Sequence, residues 1–139
     1  MEISIQKIVD VKTPSYAHED DAGLDFYSAE DYILKPMEER PISTGVKIAI
    51  PQGYVGLVWD RSGLASNNSL HVMGGVVDST YRGEVCIILK NLGKDDFEIK
   101  KDMKIAQLLI QPVVAAKIKE AGNLDDTARG ERGFGSTGI

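Results

Sequence analysis

Several short stretches of the chain gather side chains able to grip a phosphate or handle a proton. Asp60-Arg61-Ser62-Gly63-Leu64-Ala65 follows an apolar run that closes on Trp59. A guanidinium can hold phosphate through two parallel hydrogen bonds, the Ser62 hydroxyl can donate, and Gly63 lets main-chain N–H groups come close to the oxygens. Alone, the same residues also describe a plain turn with a solvated arginine. From Gly75 through Val76, Val77, Asp78 and Tyr81 to Glu84, a carboxylate, an aromatic ring and two glycines stand at what reads as a hairpin. Asp78 is either a turn former or, beside a substrate, a group that orients or deprotonates a water. Tyr81 is either a half-buried strand aromatic or a platform beneath a sugar. Asp25 sits two residues after Gly23 and behind the acidic run Glu19-Asp20-Asp21, which reads as a solvated loop. Near the end, Arg129-Gly130-Glu131-Arg132-Gly133-Phe134-Gly135-Ser136-Thr137-Gly138 pairs a charge clamp with a stacking ring on a glycine-rich strip.

What is missing narrows the chemistry. His18 and His71 stand alone, away from Cys86, so no nitrogen and sulfur cluster offers a zinc site. A metal that works here is a hard, oxygen-bound ion, which favours magnesium held chiefly by phosphates. No Walker A loop, nucleophile elbow or HExxH pair occurs.

These groups need strands to position them. Ile3 and Ile5 flank Ser4; Val46, Ile48 and Ile50 alternate with Lys47 and Ala49; Val55, Leu57 and Trp59 alternate with Gly56 and Val58. Val85, Ile87 and Leu89, then Phe97 and Ile99, repeat the period of two, which predicts strands with one buried face each. Met103 to Ile110 also offers a helical stripe through Ala106. The crowding of Ile and Leu and the nearby Pro112 favour a strand. Thr44-Gly45, Pro51-Gln52-Gly53, Asn67-Asn68, Gly74-Gly75, Asn91-Leu92-Gly93 and Ala121-Gly122-Asn123 mark turns. Many short strands between such turns predict an all-β sandwich or barrel. After Lys119 only Leu124, Phe134 and Ile139 are large and apolar, so residues 120–139 form a tail without its own core, and residues 1–119 form the one domain.

The chain of 139 residues, with 42% hydrophobic and 27% charged residues, is composed as a folded globular domain. Its formal net charge of −5 opposes stable nucleic-acid binding, which rests on clustered Lys and Arg. No apolar run approaches a membrane span, and the polar start is unlike a signal peptide, so the expected compartment is intracellular, by default the cytoplasm. Cys86 is the only cysteine, which excludes an intrachain disulfide and predicts a small buried hydrophobe at that position.

In order along the chain, AGLDFYS from Ala22, DRSGLA from Asp60, GVVDSTYRGEV from Gly75, KIAQLLI from Lys104 and ARGERGFGSTG from Ala128 resemble the five motifs of the trimeric dUTPase family. The resemblance implies a jelly-roll-like (β-clip) subunit in a homotrimer with shared sites at the subunit interfaces, each closed by a C-terminal tail. It implies hydrolysis of dUTP to dUMP and pyrophosphate by water attack at the α-phosphorus, which limits uracil incorporation into DNA and supplies dUMP for dTMP synthesis. By the same resemblance, Asp78 activates the water and contacts the sugar, Tyr81 excludes a ribose, and main-chain groups from Gly75, Val76 and Val77 to Cys86 read uracil. Arg61, Ser62, Gly63 and Gln107 hold the triphosphate, and Asp25 contacts Mg2+ through its water shell. Arg129 clamps the γ-phosphate, and Phe134, with Gly135 and Ser136 after it, covers the base. Two positions depart from the family pattern: Arg132 stands where glycine is usual, and Lys104 where arginine is common.

Two rivals share these features. dCTP deaminase, a relative of the same fold, needs a glutamate base, for which Glu84 is the nearest candidate. A catalytically idle, nucleotide-dependent regulator would use the loops or tail to hold a protein partner, a reading that retention of Asp78 and Arg129 opposes.

Overall fold

The computed structural model describes residues 1–138. Along them run β1 (Ser4–Lys7), β2 (Leu24–Tyr27), β3 (Tyr32–Leu34), β4 (Glu39–Ile42), β5 (Val46–Ala49), β6 (Tyr54–Trp59), helix α1 (Ser62–Asn68), β7 (Leu70–Met73), β8 (Val76–Val77), β9 (Ile87–Asn91), β10 (Phe97–Ile99) and β11 (Lys104–Pro112). The strands form sheets in the orders β1-β5, β10-β3, β2-β11-β6-β8 and β4-β9-β7, all antiparallel. The result is the all-β fold that the alternation and turns predict, jelly-roll-like as the family resemblance implies. No helix of the described residues is long and apolar enough to cross a membrane.

One core joins the sheets. Phe26, Leu34, Ile42, Ile48, Leu89, Ile105 and Leu108 are all but inaccessible to solvent, and burying each such side chain stabilises the fold by about 1.5–3 kcal/mol. Two buried polar residues are satisfied locally. Asn91 donates to the carbonyls of Leu34 and Asp95 and accepts from the Gly93 N–H, each at 2.9 Å, and Thr44 donates to the Val85 carbonyl at 2.6 Å. Leaving such groups unpaired would cost about 1–3 kcal/mol apiece.

The period of two correctly places Val46, Ile48, Val85, Ile87, Leu89 and Ile99 inward. In β6 it points the wrong way. Gly56 is buried and Tyr54 and Val58 pack on the core, whereas Trp59 is 57% exposed on the face it shares with Val55 and Leu57. An apolar residue on both faces makes alternation ambiguous, and the small Gly56 hides the inward face from a count of large residues. A Cβ at Gly56 would lie 2.5 Å from Ile50 Cδ1 and 3.2 Å from Leu108 Cδ1, so close packing demands the glycine.

In β11, the helix-like apolar spacing has another cause. The register with β2 shifts between Lys104 and Ala106, so Ile105 and Ala106 both enter the core. This β-bulge puts Lys104 and Gln107, three positions apart, on the same outward face. DRSGLA, read as a phosphate cradle at a strand end or a plain turn, runs from the end of β6 into α1, whose seven residues end where Ser69 adopts a left-handed conformation (φ 55°). The turn signal at Asn67-Asn68 marks that end.

Candidate active site

The polar groups of the first candidate cluster meet on the outer face of the sheet β2-β11-β6-β8. Register sets Asp25 opposite Gln107 and Gln107 opposite Trp59, so three strands line them up across the sheet. Asp25 is buried, and its carboxylate takes Arg61 Nε at 3.3 Å on one oxygen and Lys104 Nζ at 2.6 Å on the other. A buried carboxylate needs such partners, and because the Arg61 and Lys104 side chains are each about a third exposed, solvent weakens either pair taken alone. The Gln107 side-chain amide donates to the Asp60 carbonyl at 2.7 Å. The Asp60 carboxylate in turn accepts from the Val72 N–H at 2.5 Å and pairs with His71 Nδ1 at 2.8 Å. The end of β6 is thereby bracketed to β7 and β11, which fixes where Arg61 leaves the sheet.

Ala17, His18, Asp21, Gly23, Asp25, Arg61, Ser62, Gly63 and Gln107 line one cavity of about 340 Å³. Arg61 is the N-cap of α1 with extended backbone, and no side chain caps the first turn, whose N–H groups are left for another acceptor. A Cβ on Gly63 would meet no atom of the chain within 4 Å, so space is kept beside these amides. At Gly23 the opposite holds, for a Cβ there would sit 1.9 Å from Gln107 Oε1. Glycine is required for Gln107 to reach Asp60. The arrangement suits a small polyanion, with donors from Arg61, Ser62 and the α1 backbone around a preorganised charge cluster.

The second cluster lies elsewhere. Gly75, Val76, Val77, Asp78, Tyr81, Glu84 and Cys86, with Pro41 and Val58, line a cavity of about 310 Å³ that shares no residue with the first. The expected hairpin arms do not pair with each other. Val77 pairs with Gly56 of β6, while Glu84 bridges to Lys47 of β5, so the segment is a loop crossing between sheets. Gly75 (φ 104°) comes so near β6 that a Cβ would stand 2.8 Å from the Val58 carbonyl. Among the described residues nothing hydrogen-bonds to the Asp78 carboxylate, which is exposed and able to accept from a water. Tyr81 folds back so that its hydroxyl donates to the Glu84 carbonyl at 2.9 Å, and its ring occupies the space a Cβ on Gly83 would fill.

Cys86 is exposed, not the buried hydrophobe its type predicts. Partial burial of its thiol and, after that, the Glu84 carboxylate push its pKa up, so it stays protonated and is no nucleophile. One oxygen of the Glu84 carboxylate accepts from both the Ser43 hydroxyl and, at 2.7 Å, the Gly45 N–H, which ties this residue to the turn between β4 and β5.

The tail joins neither cavity of its own chain. The Val113 N–H bonds the Gly53 carbonyl at 2.9 Å, and beyond it the described residues are exposed except Gly133. Phe134 is fully exposed. Arg129 Nε donates to the Arg132 carbonyl at 2.7 Å and Arg132 Nε to the Arg129 carbonyl at 3.0 Å, closing a small turn. Arg132 itself does not adopt positive φ, so an arginine fits where glycine is usual. Sequence reasoning gave no role to the Asp60 bracket or to His18 and Asp21 at the lip of the polar cavity. The pairing of the Asp21 carboxylate with His18 Nδ1 at 3.1 Å could be anticipated only from their spacing of three.

The likeness to known proteins spans the chain. The family model described as dUTPase matches residues 10–138. The deoxyuridine 5'-triphosphate nucleotidohydrolase of Clostridium kluyveri is 48% identical over 141 residues, covering 99% of both chains. Among solved structures, the dUTPase of Staphylococcus bacteriophage 80alpha with dUPNHPP superposes with a TM-score of 0.94 at 30% identity, covering 99% of each chain. A variant of the dUTPase of phage phi11 of S. aureus, described with a coordinated structural Mg(II) ion, reaches 0.84 at 28% identity and covers 88% of this chain and 98% of its own. With the family model running nearly end to end and a relative of matching length close to half identical, this chain belongs to the dUTPase family.

Proposed function

We propose that the chain hydrolyses dUTP to dUMP and pyrophosphate in a homotrimer whose sites each draw on more than one subunit. The observation that carries this reading is the division of the family's motif residues among two cavities and an exposed tail that no single chain unites. A second subunit would bring the polar cavity of one copy to the Asp78 loop of another. The sheet's outer face supports such contact, because beside the polar row it carries Val55, Leu57, Leu109 and Val76, the last 67% exposed. A contiguous apolar band of this kind marks a protein interface.

In the proposed reaction Arg61, Ser62, Gly63 and Gln107 hold the triphosphate, and the Asp78 carboxylate accepts a proton from the water that attacks the α-phosphorus. The P–O bond to the β-phosphate breaks and pyrophosphate leaves, with no covalent intermediate on the protein. Tyr81 packs on the deoxyribose, the backbone from Gly75 to Cys86 reads uracil, and Arg129 with Phe134, Gly135 and Ser136 closes the site. Magnesium fits as an ion held chiefly by phosphate oxygens, where it would neutralise charge developing on the leaving group. Among the described residues no group of three or more His, Cys, Asp and Glu side chains could hold it, and both Asp25 oxygens are in ion pairs. A contact from Asp25 through the ion's water shell is what this donor set suits.

The test is pyrophosphate release measured in parallel from dUTP, UTP, dTTP and dCTP with magnesium. Release confined to dUTP is expected. Equal turnover of UTP, or ammonia release from dCTP, would overturn the assignment.

A further inference from the structure

We infer that Glu84 is a positioning residue that fixes where the loop carrying Asp78 and Tyr81 stands against the β body, and so governs preference for a 2′-deoxy sugar. The sugar clause rests on the reading of Tyr81 proposed above. The loop is tied to itself by several bonds. The Tyr81 N–H donates to the Asp78 carbonyl at 3.1 Å, and Arg82 Nη1 donates to the carbonyls of Ser79 and Tyr81 at 2.7 and 2.8 Å. These bonds give the loop a shape but no location. At its start Val77 pairs with β6, and at its end Glu84 bridges to β5, so the backbone holds it at two points on different sheets.

Among the described residues, one side chain of the loop hydrogen-bonds to the body. Glu84 is half-buried, and its carboxylate accepts from the Ser43 hydroxyl and the Gly45 N–H in the turn between β4 and β5. The same residue's carbonyl receives the Tyr81 hydroxyl. One residue thus clamps the turn with its side chain and seats the tyrosine with its backbone, so a shift of Glu84 moves the ring directly. Two hydrogen bonds to an ionised acceptor make a stiff link.

The experiment uses the full-length enzyme and compares wild type, Glu84→Ala, Glu84→Gln and Tyr81→Ala. It measures kcat and KM for dUTP and UTP, together with amide hydrogen exchange over residues 78–82. In Glu84→Ala the dUTP-over-UTP ratio of kcat/KM should fall about tenfold and exchange should rise, as loss of a charged hydrogen-bond acceptor predicts. Glu84→Gln retains an oxygen for both donors and should restore the ratio to within about threefold of wild type. An alanine variant that merely melts earlier, with ratio and exchange unchanged, overturns the inference. Tyr81→Ala separates the two readings. If it keeps the wild-type ratio, the sugar role of Tyr81 fails, and unaltered exchange in Glu84→Ala is what would refute positioning. Should Glu84→Ala not fold, Ser43→Ala removes one donor and must move both readouts in the same direction by less; no movement refutes the role.

Discussion

At the scale of single residues, the contrast between Asp25 and Asp78 is instructive because both are aspartates near glycine in the sequence. Asp25 is enclosed and charge-paired twice, whereas Asp78 is exposed with no hydrogen bond to its carboxylate among the described residues. Only the second is chemically available. Replacing Asp78 by Asn should therefore leave dUTP affinity near normal while lowering kcat by about 10²–10⁴-fold, the usual worth of a general base. Single-turnover kinetics beside equilibrium binding would check it, and near-normal kcat would refute the role. Neither environment was legible in the sequence. Type and spacing named both carboxylates, but what neutralises Asp25 arrives from positions 61 and 104, far along the chain.

At the scale of elements, the strands legible from the sequence are those with one apolar face. β5 and β10 follow the period of two because their outward positions are polar or small, and β9 follows it through Ile87, Leu89 and the outward Lys90 although Ile88 is apolar. β2, buried along its whole length, and the short β3, β4 and β8 carry no alternation to detect, and in β7 the alternation of Leu70 and Val72 with His71 spans only four residues. α1 escaped notice for a related reason: with no buried residue and only seven positions, it has no amphipathic stripe. The site fared better than the fold around it, since a guanidinium, a hydroxyl and a glycine keep their chemistry whether they stand on a turn or a helix. The juxtaposition of β2 and β11 gives a prediction. Gly23→Ala would drive Gln107 from its place, because the new methyl would overlap Oε1. With one phosphate contact worth about 1.5–3 kcal/mol, KM for dUTP should rise some ten- to hundredfold. The unfolding temperature should fall as well, since the methyl would also stand 3.0 Å from the Gln107 Cβ and the bond to the Asp60 carbonyl would be lost, and an unchanged KM would remove Gln107 from the cradle.

For the whole molecule, the decisive matter is whether one copy completes the site of another, as the proposed trimer requires. Deleting residues 128–139 removes none of the buried core among the described residues, so it should leave the unfolding temperature and oligomeric state as they were. Turnover should fall by about 10²-fold or more if the tail positions the triphosphate. Mixing that truncation with Asp78→Asn distinguishes sharing from self-sufficiency. In randomly mixed trimers, a site taking its aspartate from one subunit and its tail from another is intact in roughly a quarter of cases. Two inactive preparations, coexpressed, should then recover up to that fraction of wild-type rate, and no recovery would mean that each tail serves its own subunit. The pairing around Asp25 carries a further consequence. Its strand leaves water at least cost when a cation from the turn into α1 and another from β11 face its two oxygens, and a body closed with neither would strand a bare charge. Folding is thereby coupled to the phosphate grip: Arg61 steadies the buried carboxylate and also lines the polar cavity, so a sound core and a working grip draw on some of the same atoms.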